Sequence, residues 1–345
     1  MVSESGWWTS RKQGLTVLAG VAISIAVLGW AAYRIDLRGA LHRLRGFGGA
    51  WILPMLLFYL SSFLVRGVRW CLLLQPVGTV PWSTSTGVIF SGYMANNLLP
   101  LRLGEIVRAL VLTRVTSVRM DGTLSTIVLE RVLDGLVLVG MIAFVLPWTD
   151  VVPGKEGVVA YTGAVSAVVF AGALLLVIAV RLFPRVVLRV SSQTLEWAPV
   201  VKKERGVGMV RSVLRGLETL TMDRRLLAVL FLSVAVWALE GGMFWVGLQA
   251  FALDADVAIA LLTLAFVNLS ILIPSAPGYV GVFQGATILA FAAFGLPEET
   301  ALSYAVVVHA LQYVSATAIG IGVLAKYGIS LAALRQESIS HEHSK

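Results

Sequence analysis

Residues 257–297 read VAIALLTLAFVNLSILIPSAPGYVGVFQGATILAFAAFGLP, a stretch with no Asp, Glu, Lys or Arg that is nevertheless interrupted by Pro274-Ser275-Ala276-Pro277-Gly278. Two prolines and a glycine stop a helix, and a loop in water has no reason to sit in so apolar a setting. A backbone break at membrane depth does have one. Non-helical backbone is tolerated there only where protein surrounds it or where it lines a cavity, and transporters put substrate sites at such breaks.

The rest of the chain fits that setting. Of 345 residues 58% are hydrophobic and only 13% charged, with mean hydropathy +0.86. Several apolar runs have the roughly 20 residues that cross about 30 Å of hydrocarbon. The composition is that of an all-α polytopic membrane protein forming a single transmembrane domain over 1–345. The run Leu15 to Ala32, behind Arg11-Lys12, has the length of a span and no small-residue cleavage site after it, so it reads as the first helix and not as a signal peptide. One cysteine, Cys71, and scattered histidines (His42, His309, His341, His343) suggest neither a disulfide nor a metal site, and there is no Walker-type Gly-Lys-Ser/Thr loop. We expect no cofactor and no metal.

Charge gives orientation. The net charge of +8 is concentrated between Arg181 and Arg225, where ten Lys and Arg face Glu196, Glu204, Asp223 and Glu218. The positive-inside rule makes this basic loop and the C-terminus cytoplasmic, in a cytoplasmic (inner) membrane. Without interleaved aromatics or a binding module the loop reads as a solvated or membrane-surface segment, not a nucleic-acid site. Spans are expected near 15–33, 50–65, 123–146, 157–180, 226–250 and 301–324, with Pro-interrupted hairpins near 83–117 and 257–294. If each hairpin enters and leaves on one side, the chain is two inverted repeats, about 15–146 and about 157–324, each of three spans plus a re-entrant hairpin. Arg66, Arg69, Arg114 and Arg119 then fall inside, while Asp150, Asp254, Asp256, Glu298 and Glu299 fall outside. Arg34, Arg38, Arg43 and Arg45 fall outside too, against the rule. The competing architecture is eight full spans.

Three constellations carry chemistry. In the first hairpin, Asn96-Asn97-Leu98-Leu99-Pro100-Leu101-Arg102-Leu103-Gly104-Glu105 leads to Arg108. Pro100 stops the incoming helix and Gly104 frees the turn, so the next helix starts near Arg102 with unpaired N–H groups that favour an anion, and arginine adds a fork suited to phosphate. Glu105 and Arg108, three apart, are expected to pair on one helix face. The second is Glu130-Arg131-Asp134, inside a span. A charge at a helix centre costs roughly 2.5–3.5 kcal/mol on insertion scales, so three together should face the bundle interior. An ion network with Arg102, Glu105 or Arg108, a proton or ion relay, and direct headgroup binding are all open. The third is the break itself with Gly278, Gly281 and Gln284, whose amide can donate and accept at the start of the outgoing helix. Asn268 precedes it as Asn96 precedes the first break, so an Asn-to-Pro-to-Gly order recurs. The pair Gly281 and Gly285 reads as a close helix contact. Arg66, Arg69 and Trp70 read as snorkelling and aromatic anchoring at a span end. Glu240, His309 and Gln312 are further polar groups within apolar helices.

Arg69-Trp70, the Asn97…Leu-Pro-Leu-Arg-Leu-Gly-Glu-x-x-Arg108 run, Glu130-Arg131-x-x-Asp134 and Pro274-x-x-Pro-Gly-x-x-Gly281 together resemble the lysylphosphatidylglycerol synthase transmembrane region, also called the flippase-like or UPF0104 family. The likeness extends over nearly all of the chain and implies a role in moving lipids or lipid-linked intermediates between leaflets. Its motif positions here are Arg69, Asn97, Pro100, Arg102, Gly104, Glu105, Arg108, Glu130, Arg131, Asp134, Pro274, Pro277, Gly278 and Gly281. The family commonly has Glu where this chain has Gln284. The aminoacyl-transferase domain of two-domain relatives is not expected, so this chain should not make lysyl-lipid. The expectation is a non-enzymatic transporter of an anionic or zwitterionic lipid headgroup, with a membrane lipid as substrate. Two rivals are kept: a membrane-embedded lipid-modifying enzyme, and a scaffold for a lipid- or glycan-synthesis enzyme partner.

Overall fold

The computed structural model describes residues 18, 21–33, 35–99, 103–149, 224–253, 256–271 and 275–330, together with positions 157, 164, 168, 171, 172 and 175. All regular structure among these residues is helical. The helices are α1 (Val21–Tyr33), α2 (Leu37–Arg45), α3 (Ile52–Leu74), α4 (Trp82–Leu98), α5 (Gly104–Val115), α6 (Met120–Val145), α7 (Arg224–Ala250), α8 (Val257–Ser270), α9 (Val282–Ala293) and α10 (Glu298–Lys326). The expected span near 157–180, the 181–225 loop, Pro100, Arg102, Pro274, Arg34, Asp150 and Asp254 lie outside the described residues, apart from those isolated positions and the start of α7 at Arg224.

Helix ends follow local chemistry. Pro81 and Pro297 sit at the N-caps of α4 and α10, where proline's missing N–H is no loss. Leu99 turns extended, φ −101° and ψ 143°, as the residue before a proline tends to do, and α4 stops there. At the second break Gly278 takes φ +70° and Gly281 φ +90°, conformations that a Cβ would strain, and α9 starts directly afterwards.

Among the described residues three helices are long and apolar enough to cross a membrane: Gly49–Leu74, Arg224–Ala250 and Glu298–Lys326. The chain is thus an integral membrane protein. One correction concerns α3, which runs to Leu74 and not to about 65. Arg66 and Arg69 therefore lie in its body. The 26 residues of α6 span about 39 Å at 1.5 Å per residue, and its interior charges are what set it apart from those three. The hairpin arms α4, α5, α8 and α9 have 17, 12, 14 and 12 residues, or about 25, 18, 21 and 18 Å, short of about 30 Å of hydrocarbon.

The long helices form the axis of the bundle: α3 lies along α7, and α10 lies along α4. The α4–α5 hairpin closes on α6, and the α8–α9 hairpin on α10. Glycines permit the tightest crossings. A Cβ on Gly104 would collide with the Gly92 carbonyl and the Asn96 amide, so α4 and α5 touch backbone to backbone. A Cβ on Gly281 would meet Ser24, and one on Gly285 would meet Val27, so this glycine pair seats α9 against α1, the close helix contact expected of it.

Two ends of the bundle can be told apart. Ser303 donates to the Ala40 carbonyl at 2.7 Å and Phe47 packs on Phe251 at 5.4 Å, which puts α2 at the end carrying Asp256, Glu298 and Glu299. Arg38, Arg43 and Arg45 share that acidic end. Gly78 against Val118, and Gly87 against Val323, bring the 75–81 turn, the α5–α6 turn and the end of α10 to the opposite end.

Candidate functional site

Seven ionisable side chains from α3, α5, α6 and α7 meet inside the bundle. On α3, Arg66 and Arg69 are one turn apart and both buried. Arg69 forks onto Asp134, Nη1 to Oδ1 at 2.6 Å and Nη2 to Oδ2 at 3.3 Å, and Nη1 also donates to Ser233 Oγ at 3.0 Å. Arg66 Nη2 reaches Glu240 Oε1 on α7 at 2.6 Å, and Ser62 donates to the same oxygen at 3.2 Å. Arg108 on α5 grips Glu130 with both Nη atoms, at 3.0 and 2.7 Å, while its guanidinium lies 3.6 Å above the Trp70 ring. Trp70 is itself held by Nε1 donating to Thr126 Oγ1 at 3.0 Å. Buried charges of this kind persist only where partners with good geometry replace water.

This geometry replaces two sequence expectations. Arg66, Arg69 and Trp70 do not snorkel at a span end; they are wholly inside, because α6 and α7 bring carboxylates and hydroxyls to them. Glu105 and Arg108 do not pair, because Glu130 offers Arg108 a two-pronged acceptor and takes its fork. The helix centre of α6 faces the bundle interior, as its charges demanded.

Four guanidiniums (Arg66, Arg69, Arg108, Arg131) thus share three carboxylates (Glu130, Asp134, Glu240). Arg131 is the outlier. Its Nη2 stands 3.0 Å from Glu130 and 3.5 Å from Asp134, yet 42% of its side chain is exposed. It opens into a cavity of about 250 Å³ between the two hairpins, walled by Asn96, Glu105, Asp134, Trp237 and Asn268 among others. Glu105 makes no ion pair with a described residue. Trp237 donates to Asp134 Oδ1 at 3.2 Å, so one aromatic wall is keyed to the network. Tyr93 and Tyr279 complete a partly aromatic lining that apolar patterning gave no reason to single out.

A second cavity of about 70 Å³ adjoins the first, sharing Tyr93, Asn268, Ile271 and Tyr279 as walls. Glu240, His309 and Gln312 line it, together with Asn97.

The remaining candidates build the walls. Asn96 Oδ1 accepts from the Gly104 amide at 2.8 Å, satisfying one orphan donor of the α5 start and tying the two arms. Asn97 Nδ2 donates to Thr317 Oγ1 at 2.9 Å and to the Tyr313 carbonyl at 3.3 Å, fixing the first hairpin tip to α10. Gly278 packs on Tyr313 and beside the Asn97 carbonyl, so the second tip touches the first. Ser24 Oγ accepts from the Ala276 amide at 2.9 Å and holds the break from the α1 side. Gln284 Oε1 accepts from the Gly281 amide at 2.8 Å, and its Nε2 meets His309 Nδ1 at 3.1 Å. Asn268 donates to the Leu264 carbonyl at 2.9 Å within its own helix while lining both cavities. Arg69, Glu130, Gly278, Gly281 and Gln284 do not reach either cavity wall.

Comparison with known proteins follows the same span. Residues 17–320 match the family described as the lysylphosphatidylglycerol synthase TM region. A glycosyltransferase, AglD of Haloferax volcanii, is 26% identical over 96% of this chain, which spans only 58% of that protein's length. Two UPF0104 membrane proteins of Methanothermobacter thermautotrophicus are each 24% identical, over 77% and 76% of the chain and 80% and 79% of their own lengths.

Proposed function

Given that the chain belongs to the lysylphosphatidylglycerol synthase transmembrane-region family, we propose that it moves a lipid or lipid-linked intermediate between leaflets, taking an anionic or zwitterionic headgroup through the cavity between its hairpins. The observation that carries this reading is Arg131, a guanidinium held at the edge of a buried ion network with nearly half its surface turned into that cavity. A phosphate there meets a planar fork already oriented by Glu130 and Asp134. Glu105, across the same cavity and without an ion pair to any described residue, suits an amine on a zwitterionic headgroup. The acyl or prenyl tails stay in the bilayer.

Alternating access through two inverted repeats is part of the proposal. Exchanging α3 with α7, α4 with α8, α5 with α9 and α6 with α10 turns every main packing pair among these eight helices into another pair that is also present, with α3–α7 mapped onto itself. The short hairpin arms and the contact of their tips at Asn97 and Gly278 support re-entrant hairpins over eight full spans. Such broken helices meeting midway are where inverted-repeat transporters hold substrate.

The name of the AglD relative, a glycosyltransferase, supports a second reading, an enzymatic role. One assay separates the two. The chain is reconstituted into vesicles with a fluorescent phospholipid in one leaflet, and leaflet position and chemical identity are read together. We expect the probe to redistribute with its structure unchanged. A changed probe supports the enzyme, and neither change supports a scaffold.

A further inference from the structure

The smaller cavity contains a carboxylate whose bonding is incomplete. Glu240 is buried, and its Oε1 accepts from both Arg66 and Ser62, but no described residue hydrogen-bonds its Oε2. The residue lines a chamber of about 70 Å³, room for about two waters at about 30 Å³ each, with Asn97, Asn268 and Gln312 among its walls. Its partner is incomplete as well. Arg66 Nη1 is buried without a hydrogen bond and stands 3.6 Å from Asp134 Oδ2. Arg131 Nη2 stands 3.5 Å from that same oxygen. Arg66 is thus poised between the carboxylate of the small chamber and a carboxylate that helps restrain the cation of the large one.

We propose that the small chamber is a proton site, with Glu240 as acceptor, coupled through Arg66 and Asp134 to the headgroup pocket at Arg131. The inference rests on the lipid-transport reading of the larger cavity. A hydronium in the chamber gives its proton to Glu240 Oε2, an O–H bond forms, water is left, and the carboxylate becomes a neutral acid. Arg66 loses its charged partner on α7 and turns Nη1 onto Asp134 Oδ2. Arg131 then loses its share of that oxygen and is released toward the cavity, where the cluster has gained one positive charge. Protonation therefore favours an anionic headgroup, and by linkage the headgroup favours protonation.

The other groups facing Glu240 leave it as the acceptor. From α3 come Arg66, already a cation, and Tyr59; from α4, Tyr93; from the second break, Tyr279; from α10, Tyr313 and His309; Asp134 of α6 stands beyond Arg66. The tyrosines each present a phenol O–H, a hydrogen-bond donor toward a carboxylate. His309 is excluded by its contacts. The Gly281 N–H can only donate, so it fixes Gln284 Oε1 toward itself and Nε2 toward His309 Nδ1, which must accept. A proton on Nδ1 would set two donors face to face.

The test uses the purified full chain in detergent and dihexanoyl phosphatidylglycerol as probe. In wild type the infrared carboxylic-acid band should grow as pH falls, and probe affinity should rise with it. In Glu240→Gln the share of that band due to Glu240 should be missing, leaving only that of the other carboxyl groups, and affinity should no longer depend on pH, staying about tenfold above the wild-type value at high pH. His309→Gln should keep the band. A band of wild-type size in Glu240→Gln, or wild-type affinity that ignores pH, overturns the proposal; the latter needs no variant. A band that titrates in wild type while the probe binds at no pH leaves the proton site standing and removes both the coupling and the lipid reading.

Discussion

Replacing Glu130 with alanine is expected to remove about 3–5 kcal/mol of stability, enough to leave little of the 5–15 kcal/mol typical of a folded domain. Glu130 is fully buried and is the ion partner of three arginines, Arg69, Arg108 and Arg131. Arg69 would keep Asp134 and Arg131 would keep the cavity. Arg108 would lose both of its short bonds, since both end on Glu130, and its guanidinium is buried against Trp70 with only an edge on the large cavity. An unpaired buried cation is the costly outcome, much more than the loss of the pair itself. Loss of tryptophan fluorescence or of the monodisperse elution peak on heating in detergent measures the effect. The double variant Arg108→Met with Glu130→Leu should recover part of the loss, because it removes both charges and leaves apolar volume. Wild-type thermal stability in Glu130→Ala would mean that the network is not what closes the α5–α6 corner.

Arg131→Ala is expected to do the reverse: fold normally and fail at the substrate. Its side chain is half exposed, and Glu130 and Asp134 both retain other arginines when it is removed. A hydrogen bond to a charged group is worth about 1.5–3 kcal/mol, so headgroup affinity should fall about ten- to a hundredfold and translocation in vesicles should fall with it. Arg131→Lys should recover little, because an ammonium restores the charge without the planar fork. Unchanged translocation by a folded Arg131→Ala protein would take the phosphate role away from this residue.

How much of this was legible depends on how local each signal is. Proline and glycine act through their own backbone, so the two breaks, the hairpins around them and the capping by Gln284 could be read from residues alone. Charges inside an apolar helix announce a partner, and Glu130 and Asp134 did turn inward, with Arg131 at the edge of the cavity. Their partners were not legible. Arg66 and Arg69 ended the apolar window of α3, so they looked like a membrane boundary; only the packing of α3 on α7 and α6 reveals that the helix continues past them to Leu74 with its charges matched. Glu105 to Arg108 was the local choice, and a non-local acceptor with two oxygens won. Tyr93, Trp237 and Tyr279 carry no distinguishing pattern in a chain this apolar, and they become cavity walls only once the hairpins are brought together.

The central claim is that lipid enters the space between the two hairpins. A photoreactive side chain in place of Leu138, which is buried and lines the large cavity, tests this directly, with one in place of the outward-facing Leu227 as the bulk-lipid control. Illumination in phospholipid vesicles should attach phospholipid at both positions, and dihexanoyl phosphatidylglycerol should suppress the adduct at Leu138 alone. Adducts at Leu227 with none at Leu138 would mean that the cavity holds no lipid headgroup, and the transport mechanism built on it would be wrong.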